Sequence, residues 1–285
     1  MRPILPNKTE FIPRPPANEH EIFMAMRTYP DNVKVYHPHG RIDATSVFWH
    51  NKLHPNALNF AVYVDPKATE QNILFKRVLD DIEKLAWKFS DDRMITRDYA
   101  PQHPFNKWLS SRRFRLVNTE LTAELPLATL SLGKISQPAD GTLLSAGELS
   151  KQPDLYKSVL ATSKTEYDRQ QTFNPAISIP QANWEVLISH NQLQTVPFAV
   201  LDDNKQISAF SYLYKVDQQM AELGIRYGTH AQSLNTLLNL QLKWLQAHYK
   251  TLNGTFQEHS KLDMKIFQSL PFVDVNKYET YMRLS

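Results

Sequence analysis

The stretch "IRYGTHAQSLNTLL" (225–238) holds the residues whose types and order point most directly to chemistry. It reads as the end of a strand, a tight turn carrying Gly228, and the first turns of a helix with Ala231 and Ser233 on it. A helix start presents N–H groups with no partner inside the helix, and its dipole favours an anion. Small side chains there allow a phosphate to come close, so the stretch from His230 through Ala231, Gln232, Ser233 and Leu234 to Asn235 is either a main-chain phosphate cradle or an ordinary strand-helix connection. Two other places carry groups that move protons. Glu222 lies on the strand leading into this turn, where strand alternation groups it with Gly224 and Arg226. "QEHSK" (257–261) ends the following strand and offers Glu258 and His259, the latter with an ordinary pKa near neutrality. A fourth feature, "YHPHG" (36–40), pairs His37 with His39 but lacks a third ligand at recognisable spacing, and Pro-His-Gly suits a hairpin turn. No metal is expected.

These groups must be positioned by a fold, and the composition bounds it. The chain has 285 residues, 42% of them hydrophobic and 21% charged, with a net charge of +3. That is a globular composition of one large or two small domains. With 0 cysteines, neither disulfides nor thiolate catalysis contribute. The segment "MRPILPNKTEFIPRPP" has no apolar core of signal-peptide length, and no apolar run approaches the ~20 residues of a membrane helix. The expectation is a cytoplasmic protein that binds neither membrane nor nucleic acid, as monomer or homodimer. Its densest basic run, "SSRRFR" (110–115), suits the end of a helix.

The chain repeats itself. "RIDATSVFW" (41–49) matches "QISAFSYLY" (206–214), with Ile, Ala and Ser in the same places. Upstream, "VKVYHPHG" (33–40) lies opposite "FAVLDDNK" (198–205), so each copy opens on a hairpin. Downstream, "FAVYVDPKATEQNILFKRVL" (60–79) aligns with "AELGIRYGTHAQSLNTLLNL" (221–240), a strand, a polar turn and an amphipathic helix. Leu74, Val78, Ile82, Leu85 and Phe89 keep helical spacing in the first, and Leu234, Leu237, Leu238 and Leu245 in the second. "HPFNKWLSSRRFRLVN" (103–118) and "KLDMKIFQSLPFVDVN" (261–276) share Phe114 and Phe272, and the terminal strands "NTELTAELPL" and "NKYETYMRL" follow. Three blocks in the same order on the same kinds of element indicate a duplicated unit. The second copy carries two extra helices in front, over 154–171 and 179–190. The predicted division is 1–127, a connector at 128–150, and 151–285.

The order hairpin, strand, polar turn, helix, strand, helix and closing strands resembles the GNAT superfamily of acyl-CoA-dependent N-acyltransferases, in the tandem arrangement of mycothiol-synthase-type proteins. The resemblance implies an α/β (α+β) fold of two GNAT-like domains, each a mixed, mostly antiparallel sheet flanked by helices. It implies acetyl-CoA as cosubstrate, with pantetheine along Leu223, Gly224 and Ile225, the pyrophosphate on the 230–235 turn, and a small-molecule or peptide amine as acceptor. His230 stands where the family has Arg, and Ala231 and Ser233 replace glycines. Glu222 is the implied base, with Glu258 and His259 as rivals. Phe267 falls where the family places a tyrosine beside the thiolate, and Phe has no proton to give. On the first copy the same overlay falls on Thr69, Glu70, Gln71, Asn72, Ile73 and Leu74. Glu70 would meet the pyrophosphate there, and two like charges about 4 Å apart repel by about 1 kcal/mol even in water. The second copy is therefore the expected acyl-CoA site and the first a degenerate one. The alternatives are a non-catalytic acyl-CoA sensor or interaction protein, and an aminoacyl transferase of the cell-wall type.

Overall fold

The computed structural model describes residues 19–37, 40–132 and 142–285; His39 and part of the expected connector lie outside the described residues. The chain forms two compact units, Met1–Thr119 with Lys277–Ser285, and Glu120–Asn276.

In the first unit, helix α1 (His20–Thr28) precedes strands β1 (Val33–Tyr36), β2 (Ala44–Trp49) and β3 (Ala57–Val64). Helix α2 (Gln71–Phe89), β4 (Arg93–Tyr99) and α3 (Pro104–Leu109) follow. β1, β2 and β3 pair antiparallel, and β3 and β4 pair parallel only from Ala57↔Arg93 to Asn59↔Ile95. β3 is a nearly continuous apolar run buried on both faces, as a strand covered by helices on each side must be. α2 carries Leu74, Phe75, Val78, Leu79, Ile82 and Ala86 on one stripe, which packs into the core with Phe60 and Phe114. α1 covers the other face through Ile22 and Met26, against Val47, Ala61 and Tyr63. Fully burying each such side chain is worth about 1.5–3 kcal/mol. The sheet is completed next to β4 by the last strand of the chain, whose residues 278–284 pair from Tyr278↔Tyr99 to Leu284↔Arg93.

The second unit starts inside β5 (Arg115–Pro126), whose residues 120–126 pair antiparallel with β10 (Thr251–Gln257). Between them in sequence come β6 (Leu143–Ser145), α4 (Ala146–Leu149), α5 (Pro153–Gln170), α6 (Gln181–Ser189), β7 (Pro197–Leu201), β8 (Ile207–Lys215), β9 (Met220–Gly228) and α7 (Ala231–Gln246); α8 (Lys261–Ser269) follows β10. The strand order is β5-β10-β9-β8-β7-β6, with only β9 and β10 parallel. The two extra helices of the second copy are α5 and α6. Their Leu160, Trp184 and Ile188 pack on Phe198, Phe210 and Tyr212. On the opposite face α7 buries Leu234, Leu237, Leu238, Leu242 and Leu245 with α8's Ile266. The final strand, β11 (Val273–Leu284), begins in this unit and ends in the other.

One expectation about β9 is corrected. Ser211 pairs with Arg226 and Leu213 with Leu223, so Tyr212 alone stands opposite both Gly224 and Ile225. This is a β-bulge, and the extra residue reverses the facing of everything beyond it. Gly224 lies over the Tyr212 and Tyr214 side chains, and Ile225 and Tyr227 pack on that same face. Arg226 turns the other way, toward α8. Glu222, Gly224 and Arg226 do not share a face.

Candidate active site

The second unit brings a bare helix start to the end of a parting strand pair. Gly228 closes the turn tightly: a Cβ there would stand 3.0 Å from Leu234 Cβ and 3.2 Å from the His230 carbonyl oxygen. Thr229 anchors the loop through its N–H and Oγ1, which donate to the Ser208 carbonyl at 2.9 and 3.1 Å. His230 is the N-cap in extended conformation, with no side-chain cap hydrogen bond. Ala231, Gln232 and Asn235 are exposed and Ser233 half-buried, so the first-turn amides face outward among small side chains. Leu234 is fully buried and belongs to the core, contributing only main chain to this corner.

β9 and β10 pair parallel from Met220↔Thr251 to Leu223↔Gly254, and the ladder stops there. The opening beyond is spanned from the α8 side by Arg226. Its Nη1 donates to the Gly224 carbonyl at 3.1 Å and its Nη2 to the Thr255 carbonyl at 3.0 Å, one on each parted strand. The guanidinium also pairs with Asp263, Nε to Oδ1 at 3.0 Å and Nη2 to Oδ1 at 2.6 Å, and lies 5.1 Å from the centre of the Phe256 ring. Arg226 is 6% and Asp263 2% exposed. Asp263 Oδ2 also accepts from the Gln257 N–H at 3.0 Å, and the Asp263 N–H donates to Ser260 Oγ, the cap of α8. Burial pushes the Arg226 pKa down, against the opposing pull of Asp263, yet arginine keeps its charge. A buried guanidinium is tolerated only with such partners.

Glu222 sits one residue before the end of the ladder, opposite Asn253 on β10 and Tyr214 on β8. Desolvation raises its carboxyl above the ordinary range, although the residue as a whole is exposed. Tyr214 is raised too, by burial first and then by the Glu222 charge. Gly224 makes room for it, since a Cβ there would fall 2.2 Å from Tyr214 Cε2. Glu258 and His259 are exposed in the turn after β10. They lie five and six positions beyond Asn253, the residue opposite Glu222, which at about 3.3 Å per residue is roughly 15–20 Å along the strand. The structure does not bring these rivals together with Glu222. Phe267 packs between Phe256 and Phe272 with ring centroids at 5.4 and 5.8 Å. Leu223 is in the core and Ile225 packs half-buried on the other face.

Asp263 escaped the sequence reading, which set Arg226 beside Glu222 and not against Asp263. Ser260 followed three residues on by an acidic residue is a helix-start signature that could have marked Asp263. The bulge that aims Arg226 at it left no local signal. In the first unit, Glu70 caps α2 in a left-handed conformation (φ 53°), its carbonyl accepting from the Ile73 and Leu74 N–H groups. Among the described residues no group of three His, Asp or Glu side chains is placed to hold a metal, and no helix is long and apolar enough to cross a membrane.

No protein-family model matches the chain, and no curated protein does. Solved structures do. A GCN5-related N-acetyltransferase from Sphaerobacter thermophilus superposes with a TM-score of 0.58 and 10% identity, over 89% of this chain and 80% of that one. The chain therefore has the fold of the GCN5-related N-acetyltransferases. A tandem GNAT protein from the clavulanic acid biosynthesis pathway, solved without AcCoA, matches with a TM-score of 0.57 and 13% identity over 97% of this chain and 91% of that one. The arrangement is accordingly the tandem form of that fold.

Proposed function

We propose that the protein is an acyl-CoA-dependent N-acyltransferase whose second unit carries an acetyl group from acetyl-CoA to an amine of a small molecule or peptide. The observation that carries this reading is the uncapped start of α7, with small residues at 231 and 233, beside the point where β9 and β10 part. The amides of residues 231–233 and the helix dipole suit a diphosphate. The parted strands leave main-chain groups to meet an amide-bearing arm. Glu222, with its pKa raised by desolvation, is the base that takes a proton from the attacking ammonium, which loses it as nitrogen attacks the thioester carbonyl. The thiolate leaves without an acid, since it is a stable anion; neither Phe267 nor a metal is asked to help.

One observation favours a second reading, a non-catalytic protein that binds acyl-CoA or a partner. Arg226 already occupies the Gly224 and Thr255 carbonyls in the strand opening. A single experiment separates the readings. Acetyl-CoA at 100 times its Kd stabilises a binding protein by about 2.7 kcal/mol. The transferase reading expects a thermal shift that Ser233→Glu abolishes and Glu70→Gln leaves intact. It further expects thioester loss with an amine panel, slowed about 100- to 10,000-fold in Glu222→Gln. Binding without turnover on a broad panel leaves the sensor reading; no shift at millimolar acetyl-CoA removes the transferase and the acyl-CoA sensor together and leaves a partner-binding protein.

A further inference from the structure

The duplicated fold contains the strand opening twice, and the two copies treat it differently. In the second unit Arg226 and Asp263 occupy it. In the first, the β3–β4 ladder ends at Asn59↔Ile95, and the β2–β3 register runs unbroken from Ala44↔Val64 to Trp49↔Asn59, so no bulge aims a long side chain inward. On the α1 face at this place lies a cavity with about 500 Å³ of empty space, solvent at its mouth included. Its apolar walls are Ile22, Trp49, Ala61 and Ile95.

Its polar groups are unevenly satisfied. Asp98 accepts from the His103 N–H and Nδ1, both at 2.7 Å, and from Asn106 Nδ2 at 2.8 Å. Glu21 accepts the Tyr99 hydroxyl at 3.0 Å and the Tyr278 hydroxyl at 2.6 Å, so its carboxylate is fixed at the cavity rim while each oxygen retains capacity for another donor. Arg97 is different. Among the described residues it forms no ion pair, and its one side-chain hydrogen bond, Nη1 to Asn59 Oδ1, is a long 3.4 Å. A half-buried guanidinium in an apolar cavity normally takes a bidentate carboxylate or phosphate partner.

We infer that this cavity binds a small apolar α-amino acid, with its carboxylate on Arg97, its ammonium at Glu21 and its side chain against Ile22, Trp49, Ala61 and Ile95. A fixed carboxylate beside an uncompensated guanidinium, with an apolar floor between them, is complementary to a zwitterion carrying an apolar body. A doubly charged phosphate would meet Glu21 and is disfavoured. The inference concerns the first unit and does not depend on the acyl-transfer reading of the second.

The test is calorimetric titration of the full chain with L-leucine, with 4-methylpentanoate, which lacks the amino group, and with 3-methylbutylamine, which lacks the carboxylate. Leucine is expected to bind tightest, 4-methylpentanoate at least several-fold weaker, and the amine not at all. Arg97→Gln should weaken leucine at least tenfold, and Arg97→Lys should restore part of the loss. Glu21→Gln should narrow the gap between leucine and 4-methylpentanoate. Ala25→Phe, which fills the cavity from α1, should abolish binding while the circular dichroism spectrum is kept. The inference is overturned if no ligand binds at millimolar concentration, if the amine binds as well as leucine, or if leucine binds Arg97→Gln and Ala25→Phe as it binds the wild type.

Discussion

Removing the Asp263 carboxylate should be among the most damaging single changes in the second unit. Asp263→Ala leaves the Arg226 guanidinium, 6% exposed, with only the Gly224 and Thr255 carbonyls and no countercharge. Breaking a buried pair in this way costs about 3–5 kcal/mol. Some of that loss also comes from the Gln257 N–H, which donates to Asp263 at 3.0 Å and would be orphaned. Arg226→Met/Asp263→Leu removes both charges and keeps the volume, so it should recover to within about 1–2 kcal/mol of the wild type, as paired replacements generally do. Because the chain has two units, a single melting curve mixes them, and native-state hydrogen exchange is the suitable assay. Slow amides of β9 and β10 should exchange roughly 100- to 4,000-fold faster in Asp263→Ala, while those of β3 and β4 are unchanged. If the acceleration is under tenfold, or the double variant is no better than Asp263→Ala, the pair does not hold the parted strands and the account of this corner is wrong.

Two further outcomes follow from the same geometry. Gly224→Ala puts a Cβ 2.2 Å from Tyr214 Cε2 and 3.1 Å from Tyr212 Cβ, so it should cost about 1–3 kcal/mol in urea unfolding, and the same change should cost less when made in a Tyr214→Ala background. The His103 pKa is raised above its ordinary value of 6.5, chiefly by its hydrogen bond to Asp98. A raised folded-state value means stability fully present below about pH 6.5 and lost as pH rises through the folded value, and Glu19, raised by burial, loses stability in the same direction. The urea midpoint of the first unit should therefore fall as pH rises above 6.5 in the wild type, and His103→Gln should flatten that decline.

The duplication was legible because it is written in local pattern. The matched segments "RIDATSVFW" and "QISAFSYLY" became β2 and β8, and the two leucine-rich stripes became α2 and α7. Helical spacing and strand alternation depend on neighbours a few residues away, and those are in the sequence. What escaped depends on distant partners. The pair Arg226–Asp263 is 37 residues apart, and whether the two meet turns on a bulge set by one Tyr212 facing two residues of β9. The partners of the closing strands were equally hidden. Nothing local to residues 278–284 says that they pair with β4, or to residues 120–126 that they pair with β10. The helix start at His230 was legible as a turn with small residues, whereas the side chain standing in the neighbouring opening was not.

The first unit's dependence on residues 277–285 has a consequence for how the protein is made. A ribosome delivers β1 to β4 early, but the strand that lies against β4 is the last to emerge of the strands among the described residues. Until then the hydrogen-bonding side of β4 is an open template, the kind of surface that invites pairing with another nascent chain. The N-terminal half has to wait, through the synthesis of the entire second unit, for the segment that shields it.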